Sequence, residues 1–250
     1  MEERYVVLPF YGLWKMFQDI ITIFANSEAR GYLFQGFWHT LVITVVAAMI
    51  GLVLGFIVAL VKIAATQSKL MKIPGVICNI YTTVIRGTPV ALQLVLMCTA
   101  IFAIRGFTPY AAVLTFGINS GAYVSENIRA GIYSVDKGQL EAGRALGLSW
   151  GKSMVKIVMP QAIKNIIPAI GNEMIALLKE TSIIQMVGST IGALTFDLNV
   201  ASTTIYYSKN IPVNSYVTCA IVAGVMYLVV VYAMVLIIKL IERRLRKSER

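Results

Sequence analysis

The sequence predicts an all-α integral membrane protein that crosses the bilayer five times. Three observations carry that expectation: 58% of the 250 residues are hydrophobic, only 14% are charged, and the uncharged residues gather in long runs. A soluble domain carries about 25% charged residues, so this chain could not cover its surface with polar groups. The mean hydropathy of +0.75 likewise excludes a disordered tail, a secreted disulfide scaffold and a coiled coil. Cys78, Cys98 and Cys219 are odd in number and far apart. They form neither a disulfide framework nor a CxxC metal pair and read as small apolar residues packed among helices.

About 20 apolar residues, rising 1.5 Å each, cross a hydrocarbon core of roughly 30 Å. The first run free of Asp, Glu, Lys and Arg is 31–61, closed by Lys62. The second is 87–104, between Arg86 and Arg105. The third, 106–125, opens on Thr108-Pro109, a helix start, and ends at Glu126. A fourth segment starts near Pro160 or Pro168 and is interrupted by Glu173, Lys179 and Glu180 before 181–196. The fifth, 210–238, runs into a basic tail. Residues 1–35 form an external segment in which 5–25, apolar but carrying Lys15 and Asp19, reads as an interfacial helix. A sixth span there would upset the charge count below. Residues 36–244 then make the five-helix domain and 245–250 the end of a cytoplasmic tail.

The net charge of +10 comes from 22 basic and 12 acidic residues. In a soluble chain it would suggest nucleic acid, but in a membrane protein it reports topology, because Lys and Arg gather in cytoplasmic loops. Five crossings put the termini on opposite sides, with the basic tail inside and the N-terminus outside. Arg4, Lys15, Arg30, Arg105 and Lys209 then fall on the outer side, which leaves 17 of the 22 cations for the inner side. Met1-Glu2-Glu3-Arg4 lacks the features of a cleaved signal peptide.

The longest inner loop contains Glu141-Ala142-Gly143-Arg144-Ala145-Leu146-Gly147, then nine residues, then Ile157-Val158-Met159-Pro160. This closely resembles the EAA signature of ABC importer permeases: EAA, three residues, Gly, nine residues, I-x-L-P. All spacings match, with Gly143 in place of the second Ala and Met159 in place of Leu. Arg86-Gly87-Thr88-Pro89, the stretch from Gly121 to Gly131, Pro160-Gln161-Ala162, Asn172-Glu173 and Leu178-Lys179-Glu180-Thr181-Ser182 are similar to elements of the branch that moves polar amino acids. The resemblance covers about residues 40–244.

It implies the type I ABC importer permease architecture, in which a loop at about 132–162 folds as two short helices and seats on a separate cytoplasmic ATPase dimer. Glu141, Ala142, Gly143, Ala145, Gly147 and Pro160 are then the coupling residues. The resemblance also implies a second permease subunit, identical or paralogous, an external solute-binding protein and a bacterial cytoplasmic (inner) membrane location. ATP and Mg would bind the ATPase, with no cofactor in this chain, which is no enzyme and needs no nucleic acid. Two alternatives are a permease for another small polar solute and an ATP-independent carrier or channel.

The residues give these roles a physical basis. Glu141–Leu146 is a good helix former, Gly147 can end it in the left-handed conformation, and Pro160 suits the first turn of the next helix. Gly147-Leu-Ser-Trp-Gly151-Lys152-Ser153 is one residue too short between its glycines for a phosphate-binding loop. The pairs Gly51/Gly55, Gly117/Gly121 and Gly188/Gly192 are GxxxG motifs, equally suited to packing within a subunit or between two.

Ionisable groups at membrane depth are costly and face a cavity or a partner. Asn119, Tyr123 and Glu126 share one helix face, and Glu173, Ala176 and Glu180 another. Together with Arg86 these are candidates for a polar pathway or for structural ion pairs, Glu126 with Arg129 among them. His39 stands alone and makes no metal site. Phe34, Phe37, Trp38, Tyr206, Tyr207 and Tyr216 read as an outer interfacial belt.

Overall fold

The computed structural model describes residues 9–101, 110–187 and 196–246, and every regular element among them is helical. Helix α1 (Pro9–Ala25) ends at Asn26, whose side chain accepts from the amides of Glu28 and Ala29 at 2.9 and 3.1 Å and so caps α2 (Ser27–Gln67). The break between the two helices therefore lies at Asn26. At 41 residues α2 is about 60 Å long, about twice the thickness of a hydrocarbon core. Asp19 of α1 is buried and accepts from the Asn214 amide and side chain at 3.2 and 3.0 Å, which fixes α1 beside the start of α10 (Tyr216–Arg246). Thr108-Pro109, Arg105, Arg4, Gly188/Gly192 and the last residues of the tail lie outside the described residues.

The expected second span, 87–104, is corrected at its start. A helix absent from the sequence reading, α3 (Lys72–Gly87), ends where that span was to begin, and α4 (Val90–Leu96) leaves it at 105° before a π-helical turn at Met97–Ile101. Pro89 has no amide hydrogen and holds Thr88 extended at φ −118°, ψ 145°. Gln93 bridges the break, its amide donating to the Ile85 and Thr88 carbonyls at 2.7 and 3.1 Å. Helix α3 is amphipathic and begins and nearly ends in a cation, so the uncharged stretch between Lys72 and Arg86 is too short to read as a span.

The third span also differs at its end. Helix α5 (Ala111–Tyr133) passes Ser125 by two turns and carries Glu126 and Arg129 within it. Then come α6 (Lys137–Ala145), α7 (Trp150–Ser153), a π-helical turn at Met154–Val158, α8 (Met159–Glu180) and α9 (Leu198–Tyr207). Pro160 sits in the first turn of α8, and the helix runs through Pro168. Among the described residues α2 and α10 are each long and apolar enough to cross a membrane, and α3 with α4 and the following π-helical turn would make a third, bent crossing.

The centre of the fold is the seam between α2 and α5. A Cβ placed on Gly51 would come within 2.7 Å of the Ser120 Oγ, and one on Gly55 within 2.7 Å of Val124. From the other side, a Cβ on Gly117 would meet Ile50 at 2.7 Å and one on Gly121 would meet Leu54 at 3.0 Å. Two of the GxxxG motifs thus face each other within one chain, which decides between the two uses left open by the sequence. Residue numbers rise together along this seam, so α2 and α5 run in the same direction.

Helix α8 runs the opposite way. Gly131 packs on Ile166 near one end of α5, and Gly171 of α8 and Thr181 just past its end meet Ile238 and Tyr227 of α10 in reverse order. The Tyr227 hydroxyl also donates to Asp197 at 2.7 Å, and Asp197 caps α9 by accepting from the Val200 and Asn199 amides.

Overpacking a close seam costs about 1–3 kcal/mol. Gly51→Val should lower the thermal unfolding temperature of the purified protein by several degrees. Gly31→Val, on the same helix with nothing within 4 Å, should leave it nearly unchanged. Equal melting of the two variants would contradict the seam.

Candidate functional site

Two groups of residues carry the chemistry, the short helices after α5 and a charged cluster between α2, α3 and α5. In the first, the Asp136 side chain caps α6 by accepting from the Gly138 amide at 2.8 Å. Gly147 has φ +82°, the Leu148 amide donates to the Gly143 carbonyl at 3.1 Å, and the Gly147 amide donates to Arg144 at 3.0 Å. This is the Schellman pattern, which closes the last carbonyls of a helix through a left-handed residue. The left-handed cap expected at Gly147 is present.

Gly143 is buried on the inner face of α6. An added Cβ would lie 2.7 Å from Ile157 Cδ1 and 2.8 Å from the Ser153 Oγ, so the glycine lets α6 press on α7 and the π-helical turn. The exchange of alanine for glycine in the motif therefore has a structural reason that the spacing alone did not reveal. Glu141, Ala142, Arg144 and Ala145 stay exposed, and Leu146 at the tip is 82% exposed. Pro160 is exposed at the start of α8. Gly151 and Lys152, which imitate a phosphate loop, lie in α7, and Ser153 is turned inward onto Gly143. The loop is tied to the long helices by Asn165, which donates to the Ser134 hydroxyl at 2.8 Å.

In the second group Lys62, 6% exposed on α2, donates to Glu126 at 2.6 Å and to the Thr82 hydroxyl of α3 at 2.6 Å. Arg129 donates to both oxygens of Glu126, at 2.9 and 3.1 Å. The Glu126–Arg129 pair was expected; Lys62 was not. Arg86 stacks its guanidinium 5.2 Å above the Tyr123 ring and lines the same cavity of about 500 Å3 as Lys62 and Glu126.

The remaining candidates separate. Asn119 is buried and donates to the Gln93 side chain at 2.8 Å, a bond that joins α5 to the break after α3. Glu173 is half-buried on α8 beside Ser120, within electrostatic reach of Arg86 and Glu180. Glu180 lies beside Lys179 at the end of the same helix. No group of three or more His, Cys, Asp or Glu among the described residues could hold a metal ion.

Residues 51–247 match the family described as binding-protein-dependent transport system inner membrane component. The arginine transport system permease protein ArtQ of Bacillus subtilis (strain 168) is 39% identical over 221 residues, covering 87% of this chain and 94% of that protein. The putative glutamine transport system permease protein GlnP of Rickettsia prowazekii (strain Madrid E) is 41% identical over 160 residues, covering 63% and 71%. Among solved structures, a crystal structure of an amino acid ABC transporter with histidines superposes with a TM-score of 0.77 at 34% identity, over 89% of this chain and 98% of that chain. The methionine ABC transporter MetNI, in an inward-facing form, shares the fold at a TM-score of 0.71 and 20% identity, over 88% and 99%.

Removing one partner of a buried ion pair costs about 3 kcal/mol, whereas replacing the pair with apolar residues is often neutral. Glu126→Gln should lower the melting temperature and folded yield, and the double variant Lys62→Met, Glu126→Leu should regain most of the loss, because Arg129 can turn its guanidinium to water. A double variant no more stable than Glu126→Gln would contradict the pairing.

Proposed function

From its membership of the binding-protein-dependent transport system inner membrane components, the family to which the chain belongs, we propose that it is the membrane-spanning subunit of an importer for polar amino acids, driven by ATP through α6. The chain is an ABC transporter permease with the type I permease fold and no enzyme; ATP hydrolysis belongs to a separate subunit. The arginine and glutamine permeases among its relatives support the substrate class. An external binding protein, a second permease subunit and an ATPase dimer carrying ATP and Mg complete the assembly in this reading.

Five crossings, with the N-terminus outside and the C-terminus in the cytoplasm, accord with the helix directions. Parallel α2 and α5, opposed by α3, whose Gly75 and Thr82 meet Ala65 and Lys62 of α2 in reverse order, and by α8, with α10 reversing again, is the alternation that five spans need. The charge split supports the same orientation, and the location is then the cytoplasmic membrane of a bacterium.

The observation that carries the coupling is the exposed tip of α6. Glu141, Ala142, Arg144, Ala145 and Leu146 project from a helix whose other face is held by Gly143 and whose end is fixed by Gly147. A short helix so braced can receive a push without bending. Of the charged candidates, Glu173 and Glu180 share one face of α8 and form our pathway proposal. Glu126 is engaged by Lys62 and Arg129, and Asn119 by Gln93.

Reconstitution with the ATPase and binding protein, with uptake of labelled arginine and glutamine, tests this reading. Left-handed geometry costs a non-glycine residue about 1–2 kcal/mol, so Gly147→Val should cut uptake about tenfold while the permease still inserts. Glu180→Gln should shift the preference between arginine and glutamine. Uptake without the ATPase would establish a carrier, and normal uptake by Gly147→Val would remove the coupling role from α6.

A further inference from the structure

Helix α3 divides its surface into a polar and an apolar strip. Asn79, Thr82, Thr83 and Arg86 recur at three- and four-residue spacing and line one polar strip. On the neighbouring strip Ile73, Val76, Ile77, Ile80 and Val84 are 54–75% exposed. The polar strip closes a cavity of about 500 Å3 with Lys62, Glu126 and Arg129. A second cavity of about 310 Å3 shares Lys62, Asn79 and Arg129 with the first and adds Lys72. The joined basin is thus ringed by four cations, Lys62, Lys72, Arg86 and Arg129, against the single carboxylate of Glu126. Glu173 acts on Arg86 from α8 and lines neither cavity. The buried Nε of Arg129 has no hydrogen-bond partner.

We infer that this basin binds the phosphodiester headgroup of an anionic phospholipid, with the acyl chains laid along the exposed apolar strip of α3. The excess of cations supplies the attraction, and the Thr82, Thr83 and Asn79 side chains supply neutral hydrogen bonds to phosphate and glycerol oxygens. A soluble phosphate would use the cations but not the apolar strip beside them, so the lipid is the source that fits both. Cationic pockets between membrane helices on the inner side are suited to such headgroups, each Lys or Arg strengthening binding about fivefold. The inference rests on the inner-side placement of this end of α2, α3 and α5 in the reading above, and it is independent of substrate and coupling.

The test is native mass spectrometry of the full-length permease in detergent, offered equal amounts of phosphatidylglycerol and phosphatidylcholine with the same acyl chains. The wild type should retain phosphatidylglycerol selectively. Lys72→Gln, at an exposed position, should weaken that retention about fivefold and keeps the test alive if Arg86→Gln fails to fold; Arg86→Gln should weaken it similarly. Lys239→Gln, near the far end of α10, should leave it unchanged. Equal retention of the two lipids, or an equal loss with Lys239→Gln, would overturn the site. Displacement of the lipid by inorganic phosphate would overturn the lipid as its occupant, and displacement by arginine or glutamine would make the basin part of the solute path instead. Because transport is not measured, an inactive permease that retains the lipid would count against the transport reading alone.

Discussion

Close approach of α2 and α5 depends on Gly51, Gly55, Gly117 and Gly121, whose missing Cβ atoms leave room for Ser120, Val124, Ile50 and Leu54 of the opposite helix. In a lipid solvent no hydrophobic force drives helices together, so contact area between smooth surfaces has to do it. The seam sets the axial register of the two helices. With Gly55 on Gly121 and Val124, Lys62 follows two turns further along α2, from where its long side chain reaches Glu126 in an ion pair of 2.6 Å. Burying Lys62 at 6% exposure is tolerable only because that register supplies a carboxylate and the Thr82 hydroxyl together.

Beyond the ion pair, α5 continues to Tyr133 and hands the chain to α6 within a few residues. Gly131 packs on Ile166 of α8, and Gly143 packs on the turn that leads into α8. Helix α6 is therefore joined to α5 through the chain itself and pressed by its inner face against the segment that leads into α8. A displacement delivered at its exposed tip reaches the membrane through two helices at once, one of them locked to α2. In the proposed transport cycle α6 acts as a handle on the α2–α5 block, with the π-helical turn at Met154–Val158 as the joint, a kind of irregularity often found at functional positions.

The parts of this arrangement that are written locally were legible in the sequence. Gly147 ends a helix because only a residue without a Cβ takes φ +82° cheaply, and a helix start at Pro160 follows from its fixed φ. What depends on distant partners was not. Rules for same-helix pairs find Arg129 for Glu126, three residues away, but not Lys62, which comes from another helix. Gly51/Gly55 and Gly117/Gly121 read the same whether they face each other or another subunit. Helix α3 escaped because Lys72 and Arg86 bound too short an uncharged stretch and its polar strip finds partners on other helices, Lys62 for Thr82 and Tyr123 for Arg86, and the 105° break escaped because Gln93, which satisfies it, lies on the next helix. The pathway candidates parted for the same reason: Asn119 has its partner in Gln93, and Glu173 lies beside Ser120, contacts that no spacing predicts.

If the block moves as one body, spin labels at Thr66 on α2 and Tyr133 on α5, both exposed, should keep a single separation through the ATPase cycle in the assembled transporter with Cys78, Cys98 and Cys219 replaced. Pulsed electron–electron distance measurement without nucleotide and with ATP trapped reads this directly. One unchanged narrow distance is the expected result; a separation that shifts or splits when ATP is trapped would mean that the seam opens during transport and that the handle drives α5 alone.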